Sequence, residues 1–96
     1  MTILNLRKAL ELYDILLPYL PEKYNVDIYD FVLEVISNIV KADKHFDFIK
    51  AMSIILNKST MEVLSMNRKE ATKMFIDELI ENDIIYLIEF CRSLYG

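Results

Sequence analysis

The chain has 96 residues, a net charge of −4 and 54% hydrophobic residues, which suits one domain with a modest core and excludes a disordered chain. It has one glycine, Gly96, and two prolines, Pro18 and Pro21, so it lacks the turn residues of an all-β fold, and its abundant Leu, Met, Lys and Glu favour helices. We therefore expect a single all-α domain over residues 1–96, folded as a compact bundle of five to six short helices.

Two helices are predicted in the first part of the chain. The first runs from about Thr2 to Tyr19, because apolar residues recur there at spacings of three and four. Pro18 is expected either to kink or to end this helix, and Pro21 ends it, since proline lacks the backbone N–H that a helix interior needs. Asp27 is the expected N-cap of a second helix that runs to about Val40.

A third helix is predicted from Asp43, as its N-cap, to about Leu56. It contains His45, the only histidine of the chain, between Asp43 and Asp47. An Asp–His contact can orient a general base, but neither a nucleophile nor a second metal ligand lies at a recognisable spacing. We therefore interpret His45 as an exposed residue at a helix N-terminus.

Two capping motifs divide the segment that follows. Ser59 and Glu62 have the spacing of a capping box, in which each side chain accepts a hydrogen bond from the backbone N–H of the other residue. Asn67 and Glu70 form a looser version of the same motif. The helix between the two caps is therefore expected to be only a turn or two long, and the next helix to run to about Glu81.

The last two predicted helices have wider apolar arcs than one core requires. An Asn-Asp break at 82–83 separates them, and the final helix runs to about Leu94. At 100° per residue, apolar residues cover roughly two-thirds of each circumference, whereas a surface helix needs an arc of little more than ~100°. These residues are Ala71, Met74, Phe75, Ile76, Leu79 and Ile80 in one helix, and Ile84, Ile85, Leu87, Ile88, Phe90, Cys91 and Leu94 in the other.

Such arcs indicate either a helix wrapped by its own bundle or a second contact with another polypeptide. A chain of this length can wrap about one helix completely, and the helix over 28–40 is also broadly apolar. We therefore expect a hydrophobic partner or self-association into a homo-oligomer. The predicted partner-binding residues are Phe75, Ile76, Ile80, Ile84, Ile85, Tyr86 and Phe90.

No residue pattern points to catalysis, a cofactor or a metal. Cys91 has no CxxC partner and lies on an apolar arc, so we interpret it as an inert buried thiol. Asp77, Glu78 and Glu81 lack the spacing of a metal site and are interpreted as a solvated acidic face. The six tyrosines fit an interface and the edge of a core equally well. We expect a protein that is not an enzyme.

Charge and cysteine content also bear on partners and location. Between Met74 and Cys91 there are five acidic residues and no basic one, whereas a nucleic-acid interface needs clustered Lys and Arg. No uncharged run approaches the roughly 18–20 residues that cross a membrane. A solitary cysteine fits a reducing compartment. We expect a cytoplasmic protein with no nucleic-acid or membrane partner.

Short sequence elements in the second half carry a family resemblance. They are Lys58-Ser59, Glu70-Ala71, Phe75-Ile76, Asn82-Asp83 and the stretch from Phe90 to Leu94. In this order, the segment 55–94 resembles the C-terminal part of the tail assembly chaperones of long-tailed bacteriophages and prophages. The segment 29–40 resembles the preceding helix of the same family.

The resemblance implies a non-enzymatic tail assembly chaperone in the cytoplasm of a bacterial host. Its implied partners are the phage tape measure protein, which it would keep soluble during tail morphogenesis, and the tail tube protein, whose subunits it would help to recruit. Two alternatives are a small helical regulatory adaptor that binds a host protein and a structural component retained in the virion.

Overall fold

The computed structural model describes residues 4–21 and 27–94, and all regular structure within these ranges is helical. The helices are α1 (Leu6–Leu16), α2 (Ile28–Lys41), α3 (His45–Leu56), α4 (Thr60–Ser65), α5 (Arg68–Glu81) and α6 (Ile84–Leu94), and a 3-10 turn at Leu17–Tyr19 follows α1. The prediction of a compact all-α bundle of short helices is confirmed.

The first helix is shorter than the sequence predicted. It begins at Leu6 because the side chain of Asn5 caps it, with Asn5 Oδ1 accepting from the Lys8 N–H at 2.9 Å. Thr2, where the start was predicted, lies outside the described residues. The predicted end at Tyr19 is occupied by the 3-10 turn, with Pro18 in its first positions, where proline is tolerated.

Three helices are followed by an Asp or Asn in the left-handed backbone conformation, which glycine often adopts at the ends of helices. Asp43, Asn57 and Asp83 have positive φ angles of 57°, 55° and 48°, in the left-handed region that Asn and Asp enter more readily than other non-glycine residues. At the end of α2, the Lys44 N–H donates to Ile39 O at 3.4 Å and the Asp43 N–H donates to Val40 O at 3.1 Å. These bonds satisfy carbonyls that the helix end leaves open.

The prediction that Asp43 caps α3 is therefore wrong. Asp43 closes α2 in the left-handed conformation, and the N-cap position of α3 is Lys44, which makes no side-chain capping bond. The Asp43 carboxylate instead contacts His45, with Oδ1 2.7 Å from Nε2. A capping rule read from residue type alone could not show which of two adjoining helices the aspartate serves.

The other predicted caps are present. Ser59 and Glu62 form the full capping box, with both reciprocal bonds at 3.1 Å. The Ser59 backbone N–H stabilises the carboxylate and so lowers the pKa of Glu62. Asn67 caps α5 and Asp27 caps α2 through their side-chain oxygens. These caps fix the starts of three helices where the sequence placed them.

The core is formed by hydrophobic side chains from every helix, and no polar or charged residue in the described ranges is buried. Phe31 of α2 and Phe75 of α5 are the largest fully buried side chains. The Phe75 ring meets the Phe48 ring edge-on, with centroids 5.3 Å apart, a favourable aromatic geometry. Burying one such side chain stabilises the fold by roughly 1.5–3 kcal/mol.

Polar side chains join segments distant in sequence at the rim of this core. Asn38 Nδ2 donates to Tyr19 O at 2.8 Å and ties α2 to the 3-10 turn. Asn82 Oδ1, between α5 and α6, accepts from the Leu4 N–H at 2.9 Å. The second bond connects the start of the described chain to the turn that precedes α6, and so helps to fix the position of that helix on the bundle.

Candidate protein-binding surface

The structure divides the seven predicted partner-binding residues into three groups. Phe75 and Ile84 are 0% and 1% exposed. Ile76, Ile80 and Ile85 are half-buried at the edge of the core. Tyr86 and Phe90 are 66% and 42% exposed.

Phe75 and Ile84 therefore lie inside the bundle and not on its surface. Both lie near the centre of their apolar arcs, and the centre of an amphipathic arc faces the core. A surface available to another chain can only use the edges of such an arc. Partner binding by the seven residues stays a prediction, and the other five are the ones that lie at least partly on the surface.

The wide apolar arc of α5 is largely covered by the bundle itself. This helix contacts α2, α3 and α6, and no large hydrophobic side chain of α5 is among those exposed in the described residues. Ile76 and Ile80 lie at the edges of the arc and pack partly against neighbouring helices. Most of the apolar arc of α5 is therefore used within its own bundle, while the polar side of the helix faces solvent.

The final helix keeps part of its arc open. Tyr86, Phe90 and Leu94 are 66%, 42% and 55% exposed, and their spacing of four residues places them on one side of the helix. We call these three residues the α6 stripe. On the other side, Ile88 and Cys91 are completely buried, so α6 is anchored by one face and presents the stripe on another.

Leu94 belongs to this surface although the sequence prediction of binding residues left it out. It belongs to the predicted apolar arc of α6, but periodicity alone does not show which edge of an arc the bundle leaves open. Its spacing from Phe90 and Tyr86 is the signal that identifies it.

A groove between α2 and α5 has a different composition. Its volume is about 560 Å³, and it is lined by Tyr29, Arg68, Lys69, Thr72, Lys73, Ile76 and Asp77. We call it the α2–α5 groove. Tyr29 is 49% exposed, and Leu33 and Val40 extend the exposed apolar side of α2.

The two side chains with possible reactivity have the surroundings that the sequence predicted. His45 is the first residue of α3 and its side chain is 74% exposed, which confirms an exposed histidine at a helix N-terminus. Cys91 is buried, and its thiol donates weakly to Ala9 O at 4.0 Å. Burial, together with the charge of Asp14, raises the pKa of the Cys91 thiol, so the prediction of a buried thiol is confirmed.

Two further observations concern the described part of the chain. No group of three or more His, Cys, Asp or Glu side chains there could hold a metal ion. None of its helices combines the length and the apolar character that crossing a membrane demands.

Comparison of the chain with protein-family models, with curated proteins and with solved structures found no match. The chaperone resemblance therefore stays a prediction from the sequence.

Proposed function

We propose that this chain is a non-enzymatic binding protein, a phage or prophage tail assembly chaperone that holds the tape measure protein and helps to recruit tail tube subunits. The observation that carries the binding role is the α6 stripe, three large apolar side chains left exposed on one side of an anchored helix. The assignment to tail assembly rests on the sequence resemblance of 29–40 and 55–94.

The geometry of the stripe suits a helical partner. Residues at positions i, i+4 and i+8 span about 12 Å along a helix axis, which matches about two turns of a helix packed alongside. Aromatic side chains are enriched in protein interfaces because they bury a large area with few rotatable bonds. Tyr86 and Phe90 supply this kind of contact.

The size of the stripe suggests that several copies act together. Three side chains bury far less than the roughly 1,000 Å² that a stable single interface needs. Copies joined in a homo-oligomer would bind one long helical polypeptide more tightly than a single copy, because after the first contact the other copies meet the polypeptide at a high effective concentration. A small stripe therefore fits two expectations from the sequence, a very long partner and a homo-oligomer.

The acidic composition supports a solubilising role. The net charge is −4, and Glu81, Asp83 and Glu89 are exposed around the α5–α6 end of the bundle. Charges of one sign on the outside of a complex oppose aggregation. A chain that covers apolar helix with its stripe and presents carboxylates outward would keep a hydrophobic partner in solution.

Gene context and co-expression test this function. The gene should lie next to a very long open reading frame with helical character, and co-expression should bring that protein into the soluble fraction together with this chain. If the long protein stays insoluble and nothing co-purifies, the chaperone function is wrong. Recovery of a host regulatory protein instead would favour the adaptor alternative, and detection in purified virions would favour a structural component.

A further inference from the structure

We propose that the α2–α5 groove is a second docking site, separate from the α6 stripe, for an acidic amphipathic helix of a partner polypeptide. In this groove the local charge is opposite in sign to the net charge of the chain. Its lining contains three cations, Arg68, Lys69 and Lys73, and one carboxylate, Asp77, a local charge of +2 in a chain whose total is −4.

The three cations are available to a ligand. Their side chains are exposed, and within the described residues none of them lies in an ion pair with a carboxylate. Lys69 and Lys73 are one helical turn apart on the same side of α5, and like charges at this spacing destabilise a helix. An anionic group placed between them would remove that repulsion.

The helix end does not itself form the binding site. The backbone N–H groups of Lys69 and Glu70 already donate to Asn67 Oδ1, at 3.0 and 3.3 Å. The Thr72 hydroxyl already donates to Arg68 O at 2.9 Å. The groups left for a ligand are therefore the cationic side chains and the apolar surface, rather than free backbone amides.

The apolar part of the groove selects a helix over a simple anion. Tyr29 is 49% exposed, and Ile76 is half-buried in the wall beside it. A volume of about 560 Å³ accommodates several side chains. An amphipathic helix would place its apolar face on Tyr29 and Ile76 and its Asp or Glu side chains on the cations. A phosphate backbone fits less well, because Asp77 lines the same groove.

Fluorescence anisotropy with two labelled peptides tests the proposal. One is a helical peptide of about 15 residues with Leu on one face and Glu on the flanks, and the other has Lys in place of every Glu. The acidic peptide should bind, and its affinity should fall as salt rises from about 0.05 to 0.5 M, since screening weakens exposed charge pairs. Equal binding of both peptides would overturn the proposal.

Charge reversal supplies the matched comparison. The double variant K69E/K73E should bind the acidic peptide at least about tenfold more weakly than wild type. K44E/K50E changes the net charge equally, at exposed positions outside the groove, and should bind like wild type. Circular dichroism monitors the fold, and K69Q/K73Q serves if the reversal impairs folding. Equal losses in the two charge-reversal variants would contradict the groove assignment.

Two further measurements distinguish the groove from the α6 stripe and from a contact between copies of the chain. A variant with serine at all three positions of the α6 stripe should still bind the acidic peptide, whatever the result for the tape measure protein. Light scattering without peptide identifies self-association. If wild type is oligomeric, K69E/K73E is monomeric and neither binds the peptide, the groove holds a second copy of the chain and the proposal is wrong.

Discussion

The hydroxyl of Tyr19 donates to the Asp47 carboxylate and joins the 3-10 turn to α3. This hydrogen bond, together with burial and the negative charge of Asp47, raises the pKa of Tyr19 to about 12. In the unfolded chain a tyrosine titrates near ~10. The contact therefore links the stability of the fold to alkaline pH.

Tyr19→Phe is expected to change how the free energy of unfolding depends on pH in the alkaline range. Between pH ~10 and ~12 the unfolded state loses the Tyr19 proton while the folded state keeps it, so the free energy of unfolding falls as pH rises. Below ~10 this contribution is fully present. Urea unfolding of both proteins from pH ~8 to ~11.5 should show lower stability and a shallower alkaline decline for the variant. The same dependence of the free energy of unfolding on pH in the two proteins would contradict the assigned role of the hydrogen bond.

Asp43 is predicted to matter for its backbone conformation rather than for capping. Its φ of 57° is costly for a residue with a Cβ that cannot bond locally, so Asp43→Ala should lower the free energy of unfolding by about 1 kcal/mol. Asp43→Gly should leave it equal or slightly higher, because glycine enters this region freely and the exposed contact with His45 is worth little. Thermal or urea unfolding measures both. Equal destabilisation by the two variants would show that the side chain is what matters.

The capping box is predicted to hold α4 in place. This helix has only six residues, so it depends on its ends and its packing. Ser59→Ala should lower the free energy of unfolding by about 1 kcal/mol and speed amide hydrogen exchange in α4. Ser65→Ala, in the same helix, should lower the free energy of unfolding by less. The stabilisation of the fold that accompanies the lowered Glu62 pKa is fully present above the ordinary glutamate pKa. It is lost as pH falls through the lowered pKa. Matching exchange rates in the two variants would count against the capping role.

Cys91 is predicted to react only after the bundle opens. The side chain is 0% exposed, and its raised pKa keeps the thiol protonated and weakly nucleophilic. A thiol reagent such as DTNB should modify the native protein at least about a hundredfold more slowly than the urea-unfolded protein. Rapid labelling of the native chain would show that α6 detaches easily from α1.

Much of the helical architecture could be predicted from sequence because it depends on local chemistry. Asp27, Ser59 and Asn67 are capping residues followed by apolar periodicity, and each starts a helix where expected. Asp43 misled the prediction because a left-handed residue at one helix end and a cap at the next can both be aspartate. Asn5 was missed because apolar spacing continues on both sides of it.

The candidate surface was harder to predict because exposure depends on neighbouring helices. Phe75 and Phe90 both lie in wide apolar arcs, yet one is 0% and the other 42% exposed. Phe75 lies near the centre of its arc, whereas Phe90 lies at an edge, and whether an edge is covered depends on the neighbouring helices. The α5 helix contacts α2, α3 and α6, which is a matter of topology that periodicity does not contain. The α2–α5 groove is similar, since Lys69 and Lys73 are close in sequence but Tyr29 comes from another helix.

The proposed binding role of α6 is tested by partner capture with a chain whose α6 stripe has been made polar. The variant carries Tyr86→Ser, Phe90→Ser and Leu94→Ser. Its matched control carries Met61→Ser and Leu64→Ser, which replace side chains that are 75% and 62% exposed on α4. Circular dichroism establishes that both remain folded.

Each protein is co-expressed with the proposed partner, the tape measure protein, and the amount of soluble complex is measured by affinity capture and sedimentation. The control should recover as much complex as wild type. The stripe variant should recover at least about tenfold less, because the apolar contact area is lost while the fold remains. A folded stripe variant that captures its partner as well as wild type would contradict the binding role of α6.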